Sequence, residues 1–469
     1  MARPIPEPPP VMMAVLGASE LMAGIVRQAP LRGNVFPPRE ADSRQKSSSA
    51  AHRRQVIFSE AHFMNPSHAI SRRHALGQLS TLSVAAISGT SAFAASPAKP
   101  LRVAVIGHTG RGDYGHGLDT MWSHLPETEL VAVADVSDTG LSKALGKLSL
   151  KPEQGFADYT AMLNQVKPDL VAIATRHVDQ HRDMAVAAAK AGVKGIYMEK
   201  PFCRDLVEAD DIIAACEAAG TRLALAHRNR YHPALPRVHE LIKDGKIGQL
   251  LEIRTRGKED QRGGPLDLWV LGCHLFNLAN HFSGEPIACA ALAYQNGQPA
   301  TPADRIEGSE GVGPLAGNEV HARFETSSGV PIFFDSLQNA GVKESGFGVQ
   351  LIGTEGVIDF RIDAEPLVHF KAGSPFRPTG DMSEWIPVTS AGLGQPEPLT
   401  DIRDRVGGHL DAARDLMAAI RDKRDPLCSA RDARVTVAMI LAVFASHKQG
   451  GARVALPMES GENPWVDWE

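Results

Sequence analysis

The stretch from Leu101 to Asp135 constrains the fold more than any other part of the chain. Its first residues, 102–106, are a short β-branched apolar run, which is typical of a parallel strand buried on both faces. A glycine-rich turn from Gly107 to Gly112 follows, and the pattern predicts a helix that begins at this turn. A second apolar strand then delivers Asp135 at its carboxyl end. Strand, turn, helix, strand and acid in this order predict a dinucleotide site.

The turn predicts how a pyrophosphate would be held. Glycines let the backbone approach the phosphates, whose charge is then stabilised by free N–H groups at the start of the next helix. The residues expected to contribute are Gly107, Thr109, Gly110, Arg111 and Gly112. Thr109 stands where the G-x-G-x-x-G pattern has its second glycine, so an ordinary βα turn that binds nothing stays an alternative.

Asp135 predicts which nucleotide is bound. A carboxylate at the end of the second strand can accept hydrogen bonds from the adenosine ribose hydroxyls. It also repels a 2′-phosphate, and no arginine follows it in residues 136–138. NAD is therefore the expected cofactor, with NADP as the alternative.

Composition disfavours several classes of function. With 469 residues, 43% of them hydrophobic and 22% charged, the chain is long enough for two or three globular domains. A net charge of −5 without a long basic block gives no reason to expect a nucleic-acid partner. The five cysteines are scattered and form no C-x-x-C pair, which predicts buried thiols rather than a zinc cluster or a disulfide framework. No metal site is expected.

The first 94 residues are predicted to lie outside the folded domains. Residues 1–63 are rich in Pro, Arg and Ser, and are expected to be a disordered or non-native extension, with translation starting at Met64. Residues 64–94 combine the pair Arg72-Arg73, a mildly apolar run and an A-x-A site that ends at Ala94. This combination predicts a twin-arginine export signal and a periplasmic or secreted protein, with a disordered basic tail as the alternative. No stretch qualifies as a stable membrane span.

Residues 95–228 are predicted to form a doubly wound parallel sheet of the Rossmann type. Apolar strands alternate with helical stretches throughout this part of the chain. In such a sheet, ligands bind beyond the carboxyl ends of the strands. The residues that fall along this edge are Thr175, Glu199, Lys200 and His227.

Residues 229–469 are predicted to form an α+β domain with a mostly antiparallel, open sheet. From about Leu250 onward, six strands follow one another with few helices between them. Gly- and Pro-rich loops at 296–318 and 371–398 interrupt the sheet, and long loops of this kind are often functional lids. Amphipathic stretches at 408–422 and 430–447 are predicted to close the fold as helices.

Two residues are candidates for catalysis. Lys200 follows a buried strand, where an ammonium group can hydrogen-bond a substrate hydroxyl and favour its alkoxide. His274 lies in an otherwise apolar helical stretch, and an imidazole that titrates near neutrality suits proton abstraction from an alcohol. The alternatives are a solvated lysine at a strand end and a core histidine with satisfied hydrogen bonds.

The chain resembles the glucose–fructose oxidoreductase, inositol dehydrogenase and rhizopine-catabolism (Gfo/Idh/MocA) family over about residues 100–457. The resemblance rests on the glycine-rich turn and on three further motifs: Thr175-Arg176-His177 followed by His181, Glu199-Lys200-Pro201, and a Gly-x-His block at His274. It implies an NAD(P)-dependent oxidoreductase of sugars or cyclitols. It also implies a homo-oligomer that pairs subunits through the open face of its second sheet.

Site roles follow from the same resemblance. Lys200 would stand at the reacting hydroxyl and His274 would be the acid/base. Glu199 would lie near the nicotinamide ribose. The resemblance also places Thr175, His177 and His181 among the residues at the cofactor.

One departure from the family pattern concerns the acids around this histidine. Members commonly carry an aspartate four residues before it and another three after it, where this chain has Val270 and Asn277. The nearest acid is Asp267, one helical turn further back. Asp267, Asn277, Arg230 and Tyr231 are the candidates for binding substrate.

Three functions remain open on the sequence. The first is hydride transfer between a tightly bound nicotinamide and a carbohydrate CH–OH carbon, with the nucleotide regenerated on the protein after export. The second is glycoside hydrolysis or elimination, in which the cofactor oxidises the sugar only transiently. The third is a sugar- or nucleotide-sensing protein without turnover, because a fold does not dictate a function.

Overall fold

The computed structural model describes residues 99–341, 347–376 and 383–469. The predicted extension at 1–63 and the predicted export signal at 64–94 therefore lie outside the described residues. Part of the loop predicted at 371–398 lies outside them as well.

The first sheet is the predicted Rossmann sheet. Its strands are β1 (Leu101–Ile106), β2 (Thr128–Ala134), β3 (Gly155–Phe156), β4 (Leu170–Ile173), β5 (Gly195–Met198) and β6 (Arg222–Leu225). The helices are α1 (Asp138–Lys147), α2 (Tyr159–Val166), α3 (His181–Lys190) and α4 (Leu206–Ala219). All pairings are parallel, in the order β3-β2-β1-β4-β5-β6. The strand order reverses between β1 and β4, which is where such sheets bind ligands.

The helix predicted between β1 and β2 is absent, and that prediction is wrong. Residues 113–120 form turns instead, and a single 3₁₀ turn follows at Met121–His124. Asp113, His116 and Gly117 have φ angles of 50°, 42° and 83°, which lie outside the helical region. Glycines at 112, 115 and 117 lower the helix propensity of this segment, so turns with positive φ are more stable here than a helix.

The second sheet is mostly antiparallel, as predicted. Its strands are β7 (Leu250–Arg256), β8 (Pro286–Gln295), β9 (Gln298–Pro299), β12 (Glu319–Thr326), β13 (Ile332–Leu337), β14 (Gly348–Gly353), β15 (Gly356–Arg361), β16 (Val368–Ala372), β17 (Ile386–Thr389), β18 (Gly392–Leu393) and β19 (Val454–Ala455), while β10 (Arg305–Gly308) and β11 (Gly313–Ala316) form a separate hairpin. Strands β7 and β13 pair in parallel.

The helices of the second half are α5 (Leu235–Lys243), α6 (Gly264–Asp267), α7 (Cys273–Ser283), α8 (Leu410–Asp422) and α9 (Ala430–Lys448). A π-helical turn at Leu268–Gly272 joins α6 to α7, so that His274 lies in one continuous helical segment. Gly272 allows this segment to approach β13 closely, because a Cβ there would lie 3.1 Å from the Phe334 ring. Helices α8 and α9 confirm the two predicted closing helices.

Successive residues of the Rossmann strands point to opposite faces and enter different cores. Val103 and Val105 of β1 pack with Trp122 and with Leu416 of α8. Ala104 and Ile106 pack with residues of α3 and α4, in a core that continues into the second sheet through α9. The boundary near residue 228 stays a prediction, since the described residues belong to one compact unit.

The described residues contain neither a membrane-spanning helix nor a metal-binding cluster. No helix among them is long and apolar enough to cross a membrane. Nor do they contain a group of three or more His, Cys, Asp or Glu side chains placed to hold a metal ion.

Candidate active site

A cleft of about 290 Å³ lies beside the carboxyl ends of the Rossmann strands and the start of α7. We call it the Lys200 cleft. Side chains with ionisable groups dominate its walls, among them Glu199, Lys200, Arg228, His274, Asp363 and His409. The cleft therefore joins the edge predicted to bind a nucleotide to the helix predicted to carry the acid/base.

Lys200 and Glu199 form the floor of this cleft, immediately after β5. Lys200 is 6% exposed, and its ammonium donates a hydrogen bond to the Val270 carbonyl at 3.2 Å and lies 3.9 Å from Glu199 Oε1. Glu199 is buried, which alone would raise its pKa. The hydrogen bond from His116 Nδ1, at 2.7 Å, and the charge of Lys200 more than offset this and lower the pKa of Glu199 to about 2. The floor thus holds a buried ion pair at neutral pH.

His274 faces the cleft next to Lys200 and is paired with a second imidazole. Its Nδ1 lies 3.4 Å from Nδ1 of His227, the residue two positions beyond the end of β6. Desolvation, followed by the charge of Lys200, lowers the pKa of His274 well below its usual value and that of His227 to about 3. Both rings are therefore neutral at physiological pH, and a neutral imidazole can accept a proton.

The acid of this helix, Asp267, lies away from the Lys200 cleft, and its role in binding substrate stays a prediction. Asp267 is fully buried; its Oδ2 accepts hydrogen bonds from Ser336 Oγ at 2.6 Å and from the Glu259 amide at 3.0 Å. It fastens α6 to the end of β13 and to the residues after β7. Asn277, one turn beyond His274, points at Cys428, whose Sγ lies 3.6 Å from Asn277 Oδ1. Neither residue lines the cleft.

Arg230 and Tyr231 also lie outside the Lys200 cleft, and their role in binding substrate stays a prediction. Both line a separate cavity beside His239 and His281. The two preceding residues, Arg228 and Asn229, are the ones that line the Lys200 cleft. Residues 228–231 form a 3₁₀ turn, which sends neighbouring side chains in different directions.

The glycine-rich turn closes on Asp135 through Thr109. The Asp135 carboxylate is buried and accepts hydrogen bonds from the Thr109 amide at 3.1 Å and the Thr109 hydroxyl at 2.7 Å. Gly140 permits this contact, since a Cβ there would lie 2.1 Å from the threonine hydroxyl. Threonine in place of the second glycine thus ties the turn to the acid that was predicted to bind ribose.

The segment that replaces the predicted helix crosses the edge of the sheet. The Tyr114 ring covers Gly107, where a Cβ would lie 2.2 Å from its atoms. The Gly115 amide donates to the Ala174 carbonyl at 2.6 Å, and His116 binds Glu199 as described. Residues 114–116 therefore link the glycine-rich turn to the floor of the cleft.

The remaining residues predicted at the cofactor have structural contacts. His181 is fully buried, with Nε2 2.8 Å from the Thr175 carbonyl and Nδ1 2.8 Å from the Pro201 carbonyl. It holds the end of β4 against the Glu-Lys-Pro turn. Thr175 is buried as well, with its hydroxyl 3.9 Å from Met184 Sδ. His177 packs against Gly112, where a Cβ would lie 2.5 Å from the His177 amide nitrogen.

The residues present fit a dinucleotide. Gly110 has a φ of 84° and no atom within 4 Å of its Cβ position, which leaves the backbone open to a close approach. The guanidinium of Arg111 is half exposed beside it, in an ion pair with Asp179. At the other end, Glu199 Oε2 is buried without a hydrogen-bond partner among the described residues. An open glycine, a nearby cation and an unpartnered carboxylate oxygen suit phosphate and ribose groups.

Several residues of the cleft are missing from the sequence-based prediction of the site. His409 arrives from the second half of the chain, and Arg228 and Lys258 both pair with Asp363. Glu310 comes from the tip of the β10–β11 hairpin, inside a loop that was predicted as a lid. His227 was placed on the correct edge, but only the three-dimensional fold brings it to His274.

Residues 101–227 match the model of the Gfo/Idh/MocA oxidoreductase family, described as an NAD-binding Rossmann fold. This part of the chain is therefore similar to the NAD-binding Rossmann domains of that family.

Relatives of known name include two sugar dehydrogenases. D-Apiose dehydrogenase of Paraburkholderia graminis is 26% identical over 350 residues, which cover 70% of this chain and 84% of that protein. Levoglucosan dehydrogenase of Pseudarthrobacter phenanthrenivorans is 25% identical over 237 residues, covering 45% of this chain and 60% of that protein. The structure of a levoglucosan dehydrogenase in complex with NADH and levoglucosan superposes with a TM-score of 0.60 at 20% identity, covering 76% of this chain and all of that one. This structural likeness supports the fold.

Proposed function

We propose that this protein, whose residues 101–227 are similar to the NAD-binding Rossmann domains of the Gfo/Idh/MocA family, oxidises or reduces a carbohydrate at a CH–OH carbon. The observation that carries the proposal is the meeting of Lys200 and His274 in one cleft beside Glu199. The two named sugar dehydrogenases support a carbohydrate as the substrate class.

His274 and Lys200 have different roles at the reacting hydroxyl. The neutral His274 accepts the hydroxyl proton during oxidation and returns it during reduction. In the tautomer that this role requires, His274 Nδ1–H donates to His227 Nδ1, which leaves Nε2 without a proton and able to accept one. The Lys200 ammonium, fixed by Val270 and Glu199, stabilises the negative charge that develops on the substrate oxygen. The buried position of Lys200 strengthens this interaction, because little water screens it.

A nicotinamide dinucleotide supplies the redox chemistry when it is bound. The glycine-rich turn and Arg111 would hold its phosphates, and Glu199 would hold the nicotinamide ribose. Asp135 favours NAD over NADP through its charge, although Thr109 already occupies part of the carboxylate. Tight retention of the nucleotide is part of the proposal.

The test is to release and identify the nucleotide that co-purifies with the protein, and then to screen aldoses, glycosides and cyclitols with it. A net change in nicotinamide absorbance with one of these compounds is the expected result. Glycoside cleavage without a net change would replace the proposal by hydrolysis with transient oxidation. Tight binding of sugar or nucleotide without turnover would replace it by a sensing function.

Export by the twin-arginine route and a homo-oligomeric state complete the proposal. The twin-arginine route carries folded proteins, so a cytoplasmic cofactor would be acquired before export and regenerated on the protein. Expression from Met64 should give a periplasmic protein that begins near Ala95 and carries stoichiometric nucleotide. An unprocessed N-terminus, or an active protein without nucleotide, would contradict this. Light scattering of the purified protein would give its oligomeric state.

A further inference from the structure

We infer that His409 is a ligand-binding residue of the Lys200 cleft and that it holds a hydroxyl group there. The site depends on the proposed function only for the identity of the ligands, which are the sugar and the nicotinamide ribose. Both carry adjacent hydroxyl groups, and the experiment below separates them.

The backbone of His409 is held in an unusual conformation at the entrance of α8. Its φ and ψ are 61° and 12°, in the left-handed region, and the residue is 2% exposed. Histidine adopts this region more readily than most side chains, yet such residues remain uncommon and cluster at functional sites. The conformation brings a side chain from the last 61 residues of the chain to the wall of the cleft.

One ring nitrogen of His409 has a hydrogen-bond partner in the Rossmann sheet. Nδ1 lies 2.7 Å from the hydroxyl of Tyr197, which is itself fully buried in β5. Burial raises the pKa of this phenol far above its usual value, so it keeps its proton and can donate it to Nδ1. In that arrangement Nε2 carries the imidazole proton. The tyrosine therefore sets both the orientation and the tautomer of the ring.

The other nitrogen lacks a partner. Nε2 of His409 is buried without a hydrogen bond among the described residues, and it lies on the side of the ring away from Tyr197. Glu199 Oε2 is unpartnered in the same cleft. Buried polar atoms are rarely left without a partner, so two of them in one cleft indicate a ligand.

The chemistry of the two atoms selects the kind of group. Nε2–H of His409 is a donor, and the ionised Glu199 is an acceptor. A hydroxyl group both accepts and donates, so the hydroxyl groups of a ligand match this donor and this acceptor, whereas a carboxylate could not donate to Glu199. Burial lowers the pKa of His409 to about 3; the charge of Glu199 opposes this shift, and the smaller effects of Arg228, His116 and Lys200 support it. The ring therefore stays neutral and its hydrogen bond persists across the working pH range.

The test compares the wild type with His409→Asn, because asparagine tolerates the left-handed backbone but lacks the distant nitrogen. NADH is titrated by fluorescence, which needs no turnover. The best sugar from the screen and its monodeoxy analogues are compared by KM and kcat. His369→Asn is the matched control, since His369 is also partly buried but lies on β16 outside the cleft.

His409→Asn is expected to weaken one ligand about 3- to 10-fold, the range for one lost hydrogen bond. If the sugar is the ligand, KM rises for the parent sugar but not for the analogue that lacks the bound hydroxyl. If the ribose is the ligand, the NADH dissociation constant rises and the sugar dependence is unchanged. Tyr197→Phe should give a smaller loss of the same kind. Equal losses for parent and deoxy sugars, or no loss in either arm, would overturn the inference, whereas a failure of the sugar screen alone would not.

Discussion

At the scale of single residues, Lys200 carries the charge on which the proposed chemistry depends. Lys200→Met keeps the length of the side chain and removes the ammonium, so turnover should fall by about two to four orders of magnitude. His274→Ala should lower it similarly. Nucleotide binding, measured by calorimetry, should change little in both. Lys194→Met is the control, because Lys194 precedes the same strand at its other end and pairs with Asp169 at 2.8 Å. Wild-type turnover in Lys200→Met would return this lysine to a structural role.

Asp135 is the residue that should set the choice of nucleotide. Asp135→Ser removes the charge that repels a 2′-phosphate, so the preference for NAD over NADP should fall about tenfold or more. Calorimetric titration of both nucleotides measures this ratio. Asp138→Ser removes an exposed acid at the start of α1 and should leave the ratio unchanged. Tighter binding of NADP than NAD by the wild type would show that the assignment of Asp135 is wrong.

At the scale of structural elements, the glycine-rich turn depends on contacts that a side chain would break. Gly112 has a φ of 87°, and a Cβ there would meet the backbone nitrogens of His177 and Arg176 at 2.5 and 2.7 Å. Gly112→Ala should therefore cost more than the ~1–2 kcal/mol of left-handed strain alone. Gly192→Ala is the matched control, since Gly192 has a φ of 78° with open space around it. Urea unfolding of both variants gives the two losses; equal losses would show that the contact with His177 is unimportant.

Elements with a strong hydrophobic period could be predicted from the sequence, whereas the segment after Gly112 could not. Strand β4 is apolar at every position, β1 is apolar except at Arg102, and α9 is apolar over most of its length, so burial decides their conformation. Residues 113–120 carry no such period. Their turns are set by positive φ angles and by hydrogen bonds to Ala174 and Glu199, which come from elsewhere in the chain.

The residues of the candidate site also fall into two groups, those that could be predicted from the sequence and those that could not. Lys200 and His274 could be predicted because each follows a recognisable local motif. His409 and Asp363 could not, because neither has a neighbouring pattern, and only tertiary packing brings them into the cleft. Arg230 and Tyr231 were expected at the cleft from their place in the sequence. The residues that line it are instead Arg228 and Asn229, because the 3₁₀ turn directs neighbouring side chains differently.

At the scale of the whole molecule, the walls of the Lys200 cleft come from distant parts of the sequence, since both the Rossmann residues and His409 line it. Helix α8 follows the second sheet in the chain, yet its residues Leu410 and Leu416 pack on the Rossmann face that holds Tyr197. The same packing positions His409 at the start of α8 against the Tyr197 hydroxyl. Packing of this helix and geometry of the cleft are therefore coupled. The period of α8 predicts a helix but does not specify which sheet it covers.

The three neutral imidazoles of the site should contribute to the acid stability of the fold, together with His281, whose pKa burial also lowers to about 3. Burial and nearby positive charge lower the pKa to about 3 for His227 and His409, and well below the usual value for His274. In the unfolded chain each titrates near its ordinary pKa of about 6.5. Between these values the unfolded state binds more protons than the native state. Stability is therefore complete above pH ~6.5 and falls as the pH drops, by up to about 1.4 kcal/mol per pH unit for each histidine.

Urea unfolding between pH ~5 and ~7 measures this slope where the histidines dominate, because carboxylates titrate mainly below that window. The lowered pKa of Glu199 adds its own loss only below its unfolded value of 4.5. Removing one buried imidazole by His227→Gln should flatten the slope by up to about 1.4 kcal/mol per pH unit. His124→Gln, at an exposed position, should leave it steep. A wild-type stability that stays level from pH ~7 to ~5 would mean that these rings accept protons in the native state, and the neutral base assigned to His274 would fail with it.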